Sequence, residues 1–167
     1  MNKSTKYIVQ AAMIAAVYVV LTWLLAPFSF GEVQVRVSEA LTILPAFTLA
    51  AVPGLFAGCL IGNLLGGAVL PDIAFGSIAT LLGALGTWKL CCGRCEGKRR
   101  YLAPIPPIAA NTLIVPFVLR YAYGVPLPIP FMMLTVGAGE VISCFVLGML
   151  LFRVLYSRRK AVFGQNT

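Results

Sequence analysis

Glu140 stands in the middle of an apolar run, with Gly137 and Gly139 beside it and no basic residue until Arg153. A carboxylate near the centre of a membrane-length segment costs on the order of 3 kcal/mol on insertion scales. Two uses are open to it: a ligand contact facing a cavity, or a carboxyl hydrogen-bonded to a neighbouring helix. Asn63 and Asn111 also lie inside apolar runs, where an amide serves either as interhelical glue or as a ligand contact. Between Phe30 and Pro45 the apolar sequence is interrupted by Glu32, Gln34, Arg36, Ser38 and Glu39. Arg36 and Glu39 can pair with each other or with a polar guest, and Asp72 adds a carboxylate after Pro71. Carboxylates accept from adjacent N–H donors, while amides and arginine donate to a carbonyl. This is the inventory of a binding site for a small polar molecule.

It is not the inventory of an enzyme. There is no histidine, no nucleophile beside a base, and no carboxylate cluster suited to magnesium. No stretch reads GxxxxGK[ST], so ATP hydrolysis has no phosphate-cradling loop here. Cys91, Cys92 and Cys95 give one C-x-x-C, without the histidine or second pair that completes a zinc site. The expectation is a reduced thiol cluster, no metal and no cofactor.

The elements that position these groups are membrane helices. Of 167 residues, 60% are apolar and 11% charged, with mean hydropathy +0.93, a composition of the membrane class. At roughly 20 residues per span, six spans account for most of the chain. We read them at about 7–26, 39–52, 53–69, 73–90, 104–123 and 131–155, as one transmembrane domain over 1–167. The first run is long enough to span and lacks a small-residue cleavage pattern. The second is short for a straight crossing and contains Pro45, so it is expected to be tilted, broken or partly exposed at the outer face. The third carries glycines at 54, 58, 62 and 66, a bare groove that needs a neighbouring helix. In the first, Ala11, Ala12, Ala15 and Ala16 form overlapping A-x-x-x-A pairs, suited to close approach by a bundle helix or by another subunit. Residues 33–38 alternate apolar and polar, which suits an extended segment, and Ser38 before Glu39 reads as a helix cap.

The net charge of +8 is not a nucleic-acid signal once the basic residues are placed. Six spans put Lys3, Lys6, Lys89, Arg94, Lys98, Arg99, Arg100, Arg153, Arg158, Arg159 and Lys160 on one side, and only Arg36 and Arg120 on the other. The positive-inside rule then puts both termini in the cytoplasm and residues 30–39 outside. Trp23, Tyr121 and Tyr123 fall near the outer interface, as an aromatic belt or as stacking partners for a planar ligand.

The motifs KYIVQAAMIAAVYVVLT, VQVRVSEALTILP, PGLFAGCLIGNLLGG, DIAFGSIATLLGAL and GAGE resemble the queuosine-precursor transporter family (QueT), whose members are substrate-binding S components of energy-coupling-factor (ECF) transporters. The resemblance runs from Lys6 to about Leu155 and does not include the cysteine-rich 89–100 loop. It implies a subunit of the bacterial plasma membrane that captures a 7-deazaguanine at the outer face, in its 7-aminomethyl or 7-cyano form or as queuine. It also implies partners: an ECF transmembrane coupling protein, docked on Ala11, Ala12, Ala15 and Ala16, and two ATPase subunits. Residues 30–38 would then form a lid. The expected substrate contacts are Glu140, Asn63, Asn111, Glu39, Arg36, Gln34 and Asp72. An S component for another solute such as a vitamin, and a structural membrane subunit without ligand, remain open alternatives.

Overall fold

The computed structural model describes residues 2–25, 36–92, 95 and 97–163, with 159–163 described by their backbone alone. Six longer helices are present among them, with a short 3-10 segment, Gly97–Leu102, before the fifth: α1 (Lys3–Leu24), α2 (Val37–Ala46), α3 (Ala51–Leu65), α4 (Leu70–Cys91), α5 (Ile105–Tyr121) and α6. The last begins as Ile129–Glu140, passes through a π-wound stretch, Val141–Leu147, and continues as Gly148–Phe163. The described residues contain no strand. Lys3–Leu24, Leu70–Cys91, Gly97–Tyr121 and Ile129–Arg158 are long and apolar enough to cross a membrane. Large apolar side chains such as Ile8, Met13, Val20, Leu64, Leu113 and Leu134 point outward, as lipid-facing surface requires. The chain is an all-α, multi-pass membrane protein.

The bundle is organised around α2, the segment expected to be short or broken. It is wound as a 3-10 helix, and Ser38 to Ala46 are all buried. Ten residues at about 2.0 Å rise reach roughly 20 Å, where α-winding would reach roughly 15 Å. Pro45 sits inside this helix. The segment packs against α1, α3, α4 and α6, and the Phe47 ring just beyond it lies 4.8 Å from that of Phe152 of α6, tilted by 37°. The expected span of 39–52 is therefore divided: 3-10 winding stops at Ala46, and α3 starts at Ala51, two residues ahead of Pro53.

Close approach of α1 and α3 depends on missing side chains. A Cβ on Gly54 would lie 2.7 Å from the Ala11 carbonyl oxygen, and one on Gly58 would lie 2.8 Å from Tyr18 Cβ and 3.1 Å from Ala15 Cα. The third-span glycines thus form a groove filled by the 11-15-18-22 face of α1. Helices α4 and α5 meet in the same way, where a Cβ on Gly83 would fall 2.6 Å from Pro107 Cα.

Several ends differ from their expected positions: α1 starts at Lys3 and α3 ends at Leu65. Leu70-Pro71-Asp72 reads as a turn in the sequence but forms the first turn of α4. Proline at a helix start loses nothing, since that amide has no intrahelical partner, and Asp72 complements the positive end of the helix. Helix α6 runs past 155 to Phe163.

Candidate functional site

Each helix around α2 contributes polar side chains to its interior-facing surface, and they meet inside the bundle. Arg36, Ser38, Glu39 and Thr42 come from α2 and its leading residue; Tyr18 and Thr22 come from α1. Cys59 and Asn63 come from α3, Asp72, Ser77 and Thr80 from α4, Asn111 from α5, and Glu140, Ser143 and Cys144 from α6. All are buried. They form two groups joined through Cys59, whose sulfur accepts from Asn63 Nδ2 at 3.6 Å and from Thr80 Oγ1 at 3.4 Å.

The group nearer the α3–α4 turn is built on Arg36, which donates to the side-chain oxygen of Asn63. Gly76 lies beneath it: a Cβ there would be 3.2 Å from both Asn63 Nδ2 and Asp72 Oδ1, and 3.9 Å from an Arg36 terminal nitrogen. The Tyr123 hydroxyl donates to Asp72 Oδ2 at 2.9 Å. Burial, then the neighbouring Asp72 carboxylate, push the Tyr123 phenol up to about 12.

The deeper group is built on Glu39. Its Oε1 accepts from the Tyr18 hydroxyl and, at 3.0 Å, from Thr80 Oγ1. Its Oε2 is buried and accepts no hydrogen bond among the described residues. Opposite it, Glu140 Oε2 accepts from Cys144 Sγ at 3.2 Å, and the buried Asn111 side chain lies beside the same carboxylate. Glu39, Glu140 and Cys144 each offer a ligand-type atom, all within 4.8 Å of one another. Were both carboxyls ionised at that separation, they would repel by roughly 3–4 kcal/mol at an effective dielectric constant near 20, which favours a shared proton or a donor between them. An arrangement of this kind is stabilised by whatever donors or positive charge enters between them. Ser143 Oγ, also buried, is unsatisfied as well. The π-wound stretch begins immediately after Glu140; such insertions recur at functional positions in helices.

A model of the QueT transporter family matches residues 8–157. The chain belongs to the QueT transporter family. A curated relative, the queuosine precursor transporter QueT of Lactococcus lactis subsp. cremoris (strain MG1363), is 38% identical over 85 residues. That match covers 49% of this chain and 50% of the relative, about half the length of each. No solved structure matches.

In this QueT-family chain, Glu39, Arg36, Asn63, Asp72, Asn111 and Glu140 lie in one connected interior. Gln34, and residues 30–35 of the expected lid, lie outside the described residues. Arg36 and Ser38 are buried at 4% and 1% exposure, so the described end of that stretch is part of the core. Ser38 is not a cap: the helix N-terminus has no side-chain cap, and Ser38 Oγ accepts from Thr22 at 2.9 Å. The four alanines of α1 separate into two pairs. Ala11 and Ala15 meet the glycines of α3, whereas Ala12 and Ala16 are exposed.

Sequence reading missed Tyr18, Thr22, Cys59, Thr80 and Cys144. A usable signal was present. Tyr18 and Thr22, Cys59 and Asn63, and Glu140 and Cys144 are each four residues apart, which stacks both members of a pair on one helical face.

Proposed function

We propose that this chain is the substrate-capturing subunit of an ECF-type transporter in the bacterial plasma membrane, importing a queuosine precursor of the 7-deazaguanine class. Family membership and the name of the Lactococcus relative support the transported class. The observation that carries the reading is the facing pair Glu39 and Glu140, with Asn111, Asn63 and Arg36 around it. The guanine edge presents adjacent N–H donors for a carboxylate, and its carbonyl accepts from an amide or guanidinium. Glu140 or Glu39 takes the first role, and Asn111, Asn63 or Arg36 the second. Asp72, held by Tyr123, shapes the end of the site toward the α3–α4 turn.

Both termini are cytoplasmic in this reading, because the basic residues gather at that end. Energy comes from two partner ATPases acting through a transmembrane coupling protein. That protein docks on the exposed Ala12 and Ala16 face of α1, where small side chains permit close helix contact. Mass spectrometry of small molecules co-purifying with the protein tests the proposal. A 7-deazaguanine is the expected finding; a vitamin bound at stoichiometric level would replace the substrate assignment.

A further inference from the structure

Helices α4 and α5 press together at the end that carries the basic loop. A Cβ on Gly83 would fall 2.6 Å from Pro107 Cα, and one on Gly86 would fall 2.5 Å from Pro106 Cβ. Toward the other end the facing side chains are large. There a groove of about 450 Å³ opens between Pro71 and Phe75 of α4 and Leu113, Phe117 and Tyr121 of α5. Every residue lining it is apolar or aromatic, and Phe75, Leu113 and Phe117 are exposed, so it faces lipid. Along α5 it runs from Leu113 to Tyr121, about 12 Å at the α-helical rise, a length suited to part of an acyl chain. Tyr121 also lines a second hollow at the end of the groove, formed with Arg120 and residues 126–130. Arg120 is exposed, and its guanidinium donates to the Val125 carbonyl at 3.0 Å. That acceptor is neutral, and Arg36, the other basic residue of this end, is buried. Arg120 is thus the one exposed cation at this end among the described residues.

We propose that groove and hollow together bind one anionic phospholipid, with an acyl chain along α4 and α5 and the headgroup phosphate on Arg120. The site is independent of the substrate; only its assignment to the outer leaflet rests on the orientation given above. Apolar grooves are common on lipid-facing surfaces, and the charge at the mouth is what makes this one selective. A guanidinium offers several N–H donors in a planar fork that matches a phosphate. One donor is used to hold Arg120 against the Val125 carbonyl, so the group is ordered before a phosphate arrives and loses less freedom on binding. Tyr121, shared by groove and hollow, is the kind of side chain that sits at headgroup level, with its ring in the apolar layer and its hydroxyl in the polar one. An acyl chain held below that level and a phosphate held beside it belong to one lipid molecule.

The test is native mass spectrometry of the full-length chain in detergent, supplied with equal amounts of phosphatidylglycerol and phosphatidylcholine carrying the same acyl chains. One phosphatidylglycerol should be retained per chain, about fivefold in excess of phosphatidylcholine. Arg120→Gln should bring that ratio close to one. Leu113→Trp, which fills the groove from an exposed position, should remove retention of both lipids. Both variants should melt near wild type, since neither position is in the core. Equal retention of the two lipids by wild type, or a ratio unchanged in Arg120→Gln, would overturn the proposal. Displacement by glycerol phosphate, which has the headgroup without the chains, would reduce the site to a phosphate site and overturn the lipid assignment. A dimer that Leu113→Trp disrupts would give the groove to a second copy of the chain and overturn it as well.

Discussion

The Tyr18 hydroxyl on α1 donates to Oε1 of Glu39 on α2, so the helix that exposes Ala12 and Ala16 is hydrogen-bonded directly to a carboxylate of the candidate site. Both side chains are completely buried. Tyr18→Phe removes the donor and leaves Thr80 as the remaining hydrogen-bond donor to Oε1. Hydrogen bonds to charged groups contribute about 1.5–3 kcal/mol, and the variant should lose stability in that range. Ligand affinity should fall by about tenfold or more as Glu39 loses its orientation. Thermal unfolding in detergent and calorimetry check the two effects; a variant unchanged in both would remove Tyr18 from the account.

The two faces of α1 should respond differently to added bulk. Gly58→Ala puts a methyl group 2.8 Å from Tyr18 Cβ and about 3.1 Å from the Ala15 backbone, which forces α1 and α3 apart. Overpacking of this kind costs roughly 1–3 kcal/mol and should lower the melting temperature. Ala12→Trp adds far more volume on an exposed face. It should leave melting and ligand binding near wild type while abolishing uptake in cells. Loss of binding in Ala12→Trp would contradict the docking role of that face.

Tyr123 gives a prediction in alkali. Its phenol is pushed up to about 12, by burial first and by Asp72 second, from about 10 in an unfolded chain. A folded-state value above the unfolded one means that the protonated phenol is favoured by folding. That stabilisation is fully present below about pH 10 and is lost as pH rises from about 10 to about 12. The tyrosinate absorbance of wild type minus that of Tyr123→Phe should therefore titrate near pH 12. A difference curve centred near pH 10 would mean that the bond to Asp72 does not hold the proton.

Orientation is tested at two exposed positions at opposite ends of α5. Pro126 follows the helix and Lys98 precedes it. On a background without native cysteines, Pro126→Cys should react with an impermeant thiol reagent in intact cells. Lys98→Cys should react only after permeabilisation, as the basic end belongs in the cytoplasm. The opposite pattern would invert the topology.

The all-helical membrane fold was legible because long apolar runs leave the backbone no other way to satisfy its amides in lipid. The glycine repeat at 54, 58 and 62 announced a helix contact, and α1 fills that groove. The path of residues 37–46 was legible only in part. A short or broken helix after Ser38 was expected and is present, but its 3-10 winding and its burial at the centre of the bundle were not foreseen. Local pattern could not show this, since the winding is imposed by packing against four other helices. For the same reason Glu140 stood out as a lone carboxylate, while its proximity to Glu39, 101 positions earlier, emerges only from packing. Single hydroxyls and thiols such as Thr80 and Cys144 read as ordinary helix residues until their partners are known.

The central claim is that Glu140 belongs to a site for a guanine-type edge. The most direct measurement is calorimetry on wild type and Glu140→Gln with a 7-deazaguanine and the matching 7-deazaadenine. Wild type should strongly prefer the guanine analogue, by up to about 10⁴-fold, because the adenine edge leaves buried acceptors unsatisfied. Glu140→Gln keeps the shape, turns one acceptor into a donor, and should weaken guanine-analogue binding by about 2–4 kcal/mol. Equal binding of the two bases by wild type, or unchanged affinity in a folded Glu140→Gln variant, would contradict the account.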